Sequence, residues 1–237
     1  MDAFDLRLWK GFLASGGSVN TPAIVDQIVI DSRRIDSANC LFVALPGEAN
    51  NGHLFVNQAA DSGAIFAIVK KDFNPTSPIL LPMTLLRVDD PLQALQEIAA
   101  SYRATKKAKV IAITGSYGKT MVKDLLHACI STKKKTISSP ESFNSQIGVA
   151  LSLLNIHDHH EVAIIEAAIS KKNEMDRLKS MIKPDSAIIT HIGKKHHTTL
   201  GDLGQREQEM IKLVEDVPAN SWVLLPNSLS NNPNVTK

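Results

Sequence analysis

The sequence has little cysteine, no excess of charge of either sign and no long apolar run. Its two cysteines, Cys40 and Cys129, fall within apolar patterns and lack the spacing of a metal site or a disulfide framework, so both are expected as buried free thiols in a reducing compartment. The formal net charge is +2 with acids and bases intermixed, which argues against the concentrated basic face that nucleic acid binding requires. One basic run, Lys133 to Lys135, lies between a helical and a strand pattern and reads as a solvated turn. No stretch approaches the length of a membrane span. The first ten residues carry acids and no continuous apolar core, unlike a signal peptide, and a cytoplasmic location is the expectation. Hydrophobic residues at 43% and charged residues at 21% describe an ordinary globular chain, and 237 residues suit two domains better than one.

The most informative stretch is Val110-Ile-Ala-Ile-Thr-Gly-Ser-Tyr-Gly-Lys-Thr120. A β-branched apolar run breaks at Thr114-Gly115 and passes through Gly118-Lys119-Thr120. It continues as a helical pattern expected to bury Val122, Leu125, Leu126 and Cys129. Strand, glycine loop and helix in that order suit a polyphosphate, because glycines admit the anion close to the backbone while successive N–H groups and the helix N-terminus face it. Lys119 is placed to reach terminal phosphates, and the Thr120 hydroxyl to ligate Mg2+. The general phosphate-loop pattern wants a glycine where this chain has Ile113, so only the shorter G-x-x-G-K-T form fits. A glycine turn with a solvated lysine is the plain alternative, and the flanking strand and helix weigh against it.

Before this stretch, residues 4–14 are expected as an amphipathic helix ended by Gly16-Gly17. Strands follow at 27–31 and 40–45, then a turn at Asn50 to His53, a helix through Phe55, Val56 and Ala59 that stops at Gly63, and a strand at 64–69. A loop covers 70–82, a short strand 85–88, and a helix begins at Pro91. From residue 110 the alternation is regular, with strands at 110–113, 135–138, 162–166, 186–190 and 222–225 and helices at 119–130, 146–154, 173–182 and 202–216. The expected fold is α/β: a small N-terminal α/β domain over 1–84, a connecting strand and helix over 85–106, and a parallel sheet with helices on both faces over 107–237.

Ligands of such sheets lie off the carboxyl ends of the strands. Three of those ends carry suitable chemistry: the polar loop Ser139 to Gln146, the acid Glu166 closing a buried apolar run, and His191-Ile-Gly193 with Lys194, Lys195, His196 and His197 beyond. A buried carboxylate needs a cation, a metal or backbone N–H donors, and a metal shared with Thr120 is the favoured reading for Glu166. Asp31-Ser32-Arg33 also follows a strand. There a capped turn with a salt bridge competes with phosphate recognition and is favoured on these residues alone, and His53 is equally ambiguous.

Taken together, Asp31-Ser32-Arg33, Leu41-Phe-Val-Ala-Leu-x-Gly47, Asn51-Gly52-His53-x-Phe55, Thr114-Gly-Ser-Tyr-Gly-Lys-Thr120, Phe143-Asn-Ser-Gln-Ile-Gly-Val149, Ile165-Glu-Ala-Ala168 and Ile192-Gly-Lys-Lys-His196 resemble the Mur ligases, the ATP-dependent amide-forming enzymes of peptidoglycan precursor synthesis. The resemblance is strongest to the member that adds D-alanyl-D-alanine to UDP-N-acetylmuramoyl-tripeptide, in the version some bacteria fuse to an alanine racemase. It implies a first domain recognising the UDP end of the substrate, with Ser32 and Arg33 as contacts. The second domain would be an ATPase domain, with Gly115, Ser116, Tyr117, Gly118 and Lys119 around the phosphates. Thr120, Glu166 and His196 would hold Mg2+, with Lys119, Glu166 and His196 catalytic, and Asn144 and Ser145 would face the muramoyl-peptide. It also implies that the remainder of the ATPase sheet and a C-terminal domain are absent from this chain.

Departures from the family's usual pattern are Tyr117 in place of a small or amide residue, Ala150 for a proline, His191 for an asparagine and Met210 about where many members carry a carbamate-bearing lysine. Lys212 lies close to that last position. The relative that adds the third peptide residue, and a noncatalytic remnant that binds nucleotide or UDP-sugar, are the competing expectations.

Overall fold

The computed structural model describes residues 1–20, 22–47, 50–75, 77–193 and 202–229. The chain divides into two compact units, Met1–Tyr102 and Arg103–Lys237.

In the first unit, β1 (Phe4–Asp5) pairs antiparallel with β2 (Ile24–Val25). A parallel sheet then runs in sequence order through β3 (Gln27–Val29), β4 (Cys40–Val43), β5 (Ala64–Lys70) and β6 (Thr84–Val88). All four residues of β4 are buried, as expected of a parallel strand covered on both faces. Val29, Cys40, Phe42, Ala67 and Val69 pack with Val56 and Ala59 of α1 (Val56–Asp61). Gly63, with φ +100°, ends the turn after α1 where an L side chain would be strained.

Residues 4–14 do not form the expected helix. The Asp5 carboxylate accepts the Arg7 backbone N–H and pairs with its guanidinium, so the chain makes only a 3-10 turn over Leu6–Leu8. Gly11 sits against the Trp9 ring, where a Cβ would meet ring carbons at 2.5 Å. The apolar residues are buried all the same: Phe4, Leu6, Trp9 and Phe12 line the core from a compact coil. Leu8 and Leu13, part of the same spacing, are exposed, so the helical period reported burial only in part and conformation wrongly.

Helix α2 (Pro91–Ala104) leads into the second unit, where the sheet is wholly parallel. Its strands are β7 (Lys109–Thr114), β8 (Thr136–Ser138), β9 (Val162–Glu166), β10 (Ser186–Ile189) and β11 (Val223–Leu224), in the order β11-β10-β7-β9-β8. The helices between them are α3 (Lys119–Ser131), α4 (Gln146–Leu154), α5 (Glu174–Ile182) and α6 (Leu203–Ile211). The expected helix 202–216 is shorter, ending in a 3-10 turn over Lys212–Val214. Ile111, Ile113, Val162, Ile164 and Ile188 meet Val122, Leu126 and Ile130 of α3. That face differs from the expected one. Leu125 is 61% exposed and Cys129 is exposed, so only Cys40 is a buried thiol, held up to about 12 chiefly by burial. Asp185, just before β10, ties the base of the sheet together, taking the Val110 N–H and the cations of Lys109 and Arg103.

Candidate functional site

The central strand β7 ends at Thr114, and the loop beyond it takes conformations that glycine permits. Gly115 has φ +139° and Gly118, the residue just before α3, has φ +80°. The loop is bound to the end of β10. The Ser116 N–H donates to the His191 carbonyl at 2.6 Å, Thr190 Oγ1 donates to the Tyr117 carbonyl at 2.6 Å, and Gly193 N–H donates to Ser116 Oγ at 3.0 Å. The Tyr117 ring lies over Gly193, where a Cβ would come within 2.7 Å of it. Gly193 in turn gives its carbonyl to Arg206, fully buried on α6, at 2.5 Å. The loop is thus braced from behind by a charge-assisted hydrogen bond.

At the start of α3, Lys119 Nζ folds back onto the Gly115 carbonyl at 2.8 Å. Thr120 Oγ1 donates to Glu166 Oε2 at 2.9 Å, and Asn144 Nδ2 donates to Oε1 of the same carboxylate at 2.7 Å. Glu166 is 1% exposed, and its backbone N–H donates to Ser139 Oγ. The carboxylate therefore takes side-chain donors rather than backbone N–H groups, and among the described residues it has no cation beside it.

A buried carboxylate with only neutral donors favours a positive ligand. The donors are all hard oxygens, a carboxylate and a hydroxyl. That set suits Mg2+, which takes one or two protein oxygens and completes its shell with phosphates and water. Among the described residues no cluster of three or more His, Cys, Asp or Glu is arranged around a metal position, so a self-sufficient protein cage is not present there. His196, expected as a ligand, lies outside the described residues, as do Lys194, Lys195 and His197.

Asn144 and Ser145, expected to face substrate, are half-buried and exposed respectively, and each makes a hydrogen bond within the protein. Asn144 holds Glu166, and Ser145 caps α4 by accepting the Gly148 N–H. Met210 is buried on α6, and neighbouring Lys212 pairs with Asp176 and Glu209. Sequence reasoning placed Ser139 only as part of a polar loop and missed Lys123 and Arg206. Lys123 carried a signal, a lysine one turn after Lys119. Arg206 carried none, standing in a helix rich in charge.

In the first unit, Ser32 and Arg33 line a cleft of about 520 Å³ with Asp31, Asn50, Gly52, Phe55 and Gln58. Ser32 Oγ donates to Gln58 Oε1 at 3.0 Å. Arg33 forks onto Asp31, Nε to Oδ1 at 2.9 Å and Nη2 to Oδ2 at 2.8 Å. This contact lowers the Asp31 carboxyl to about 2. The capped, salt-bridged turn favoured on these residues alone is present, and it sits in the wall of a cleft large enough for a small molecule. His53 closes another turn, accepting the Lys70 N–H at Nε2, with Asn51 Oδ1 beside its other nitrogen.

Residues 113–234 match the Mur ligase middle domain, and residues 24–103 match the Mur ligase family, catalytic domain. The chain belongs to the Mur ligase family. Among its relatives are proteins named UDP-N-acetylmuramoyl-tripeptide–D-alanyl-D-alanine ligase. That of Bacillus subtilis is 37% identical over 84% of this chain and 41% of its own length, and that of Synechocystis 30% identical over 95% and 49%. A crystal structure of MurF from Acinetobacter baumannii superposes with a TM-score of 0.82 at 26% identity, covering 96% of this chain and 49% of that one. A MurF ligase from Thermotoga maritima in complex with ADP shares the fold, with a TM-score of 0.75 at 22% identity, covering 86% and 46%. This Mur ligase chain spans about half the length of the relatives it matches.

Proposed function

We propose that the chain carries the UDP-substrate and ATP sites of a ligase that joins D-alanyl-D-alanine to UDP-N-acetylmuramoyl-tripeptide in the cytoplasm. The observation that carries the reading is the contact between Thr120, first turn of the helix behind the glycine loop, and Glu166 at the end of the neighbouring strand. In this reading a phosphate oxygen replaces the Gly115 carbonyl as the partner of Lys119. The loop N–H groups and the α3 N-terminus take the remaining phosphate charge. Thr120 and Glu166 hold Mg2+, which when bound neutralises charge on the phosphates and fixes their geometry. The γ-phosphoryl group passes to the tripeptide's terminal carboxylate. The amine of D-alanyl-D-alanine then forms the amide and releases phosphate, so the residues here work by positioning and charge neutralisation.

Two observations support binding without chemistry as a second reading: the thioether of Met210 cannot become a carbamate, and Lys212 is already paired. Titration with Mg·ATP separates both readings from a bare glycine turn. Wild-type chain is expected to bind and Lys119→Ala to lose that binding, whereas equal affinity in the two removes the phosphate-loop assignment. UDP-N-acetylmuramoyl-tripeptide is expected to protect residues 1–102 from proteolysis, and unchanged cleavage counts against the substrate.

A further inference from the structure

We infer that Lys123 is a positioning residue for the metal-binding carboxylate, clamping the 139–141 backbone so that Asn144 and Ser139 meet Glu166. The inference rests on the nucleotide reading of the glycine loop.

Lys123 is 2% exposed on α3, and an ammonium is rarely buried so completely without strong partners. Its Nζ donates to the Ser139 carbonyl at 3.0 Å and to the Glu141 carbonyl at 2.5 Å. The adjacent Asp124 carboxylate is 3.4 Å away with a mostly exposed side chain, a weak counter-charge. Glu141 is held at φ +42°, a conformation costly for a residue with a side chain. The ammonium fixes the carbonyl of that strained residue.

The clamped segment is the one that grips the acid. Ser139 Oγ accepts the Glu166 N–H, and Asn144 holds Oε1 while its carbonyl accepts the Ala168 N–H. On the other side the segment is backed by α4. A Cβ on Gly148 would stand 2.7 Å from the Phe143 backbone, so the segment has no slack. Lys123 lies one turn beyond Thr120 on the same helix. Both ends of the circuit, Thr120 to Glu166 to Asn144 to the clamped carbonyls to Lys123, are therefore anchored in α3. A side chain needed only for packing there would be apolar, because burying an ammonium is costly.

The test is ADP binding by the whole chain, with Mg2+ and with EDTA, in wild type, Lys123→Met, Asn144→Ala and the double variant. Lys123→Met is expected to weaken Mg·ADP about tenfold, the scale for residues that orient metal ligands, and to change ADP affinity in EDTA less than about twofold. In the Asn144→Ala background its effect should largely vanish. Equal losses with and without Mg2+, no loss with Mg2+, or full additivity with Asn144→Ala overturns the inference. Absence of ADP binding by wild type instead removes the nucleotide reading on which it stands. If Lys123→Met does not fold, Lys123→Arg and Lys123→Gln serve: Arg, keeping the charge, retains the Mg2+-dependent gain and Gln loses it, and the reverse or identical behaviour overturns the inference.

Discussion

A methyl group on Gly115 would stand 2.1 Å from the hydroxyl oxygen of Thr190. Thr190 is itself occupied, donating that hydroxyl to the Tyr117 carbonyl, so it cannot swing away without freeing the loop. Gly118 has open space at the same position and needs only its positive φ. Gly115→Ala is expected to cost about 3 kcal/mol or more, strain and clash together, and Gly118→Ala about 1–2 kcal/mol. Denaturant unfolding of the two variants checks the order, and equal losses would show that the Thr190 contact yields readily.

Glu166→Gln should separate function from stability. The amide keeps the shape and can still accept from Thr120, and although its NH2 cannot accept from Asn144, the larger cost of a buried charge disappears. Without Mg2+ the variant should melt at or above the wild-type temperature. The rise in melting temperature that Mg·ATP gives wild type should be lost. A retained rise would place the metal elsewhere.

His53 gives the first unit a pH dependence. Burial, chiefly, and then nearby Lys70 hold its imidazole below the ordinary value of 6.5, against a smaller opposing effect of Asp72. The neutral ring accepts the Lys70 N–H, a bond that protonation breaks. The folded value is lowered, so the contribution to stability is complete above about pH 6.5 and fades as pH falls through the folded value. Melting temperature should drop less between about pH 7.5 and 5 in His53→Leu than in wild type. Parallel drops would place the pH dependence in other groups.

The strand and helix alternation after residue 110 was legible because each element carries a strong period of its own and the turns between them are marked. Glu166 and Thr120 could be paired from sequence since the first closes, and the second lies just beyond, strands expected in one parallel sheet. The N-terminal stretch misled because its apolar spacing is compatible with a helix, while the Asp5–Arg7 turn and the Gly11–Trp9 contact that prevent one are particular to the folded chain. The roles of Lys123, despite its place one turn after Lys119, and of Arg206 were opaque for a different reason. Their partners are main-chain carbonyls of distant loops, and a carbonyl leaves no trace in residue identity. Asn144 was picked out as a site residue, but its role as a holder of Glu166 becomes visible only when the two strand ends are side by side.

The placement of β7 in the middle of its sheet has a consequence for how the chain matures. Ile111 pairs with Ile164 on one side and with Ser186 on the other, both of which follow the glycine loop in the chain. The loop cannot acquire its final shape until those later strands arrive to zip against it. Such long-range pairing is slow to form, and until then a β-branched edge and its glycines are exposed to chaperones and proteases.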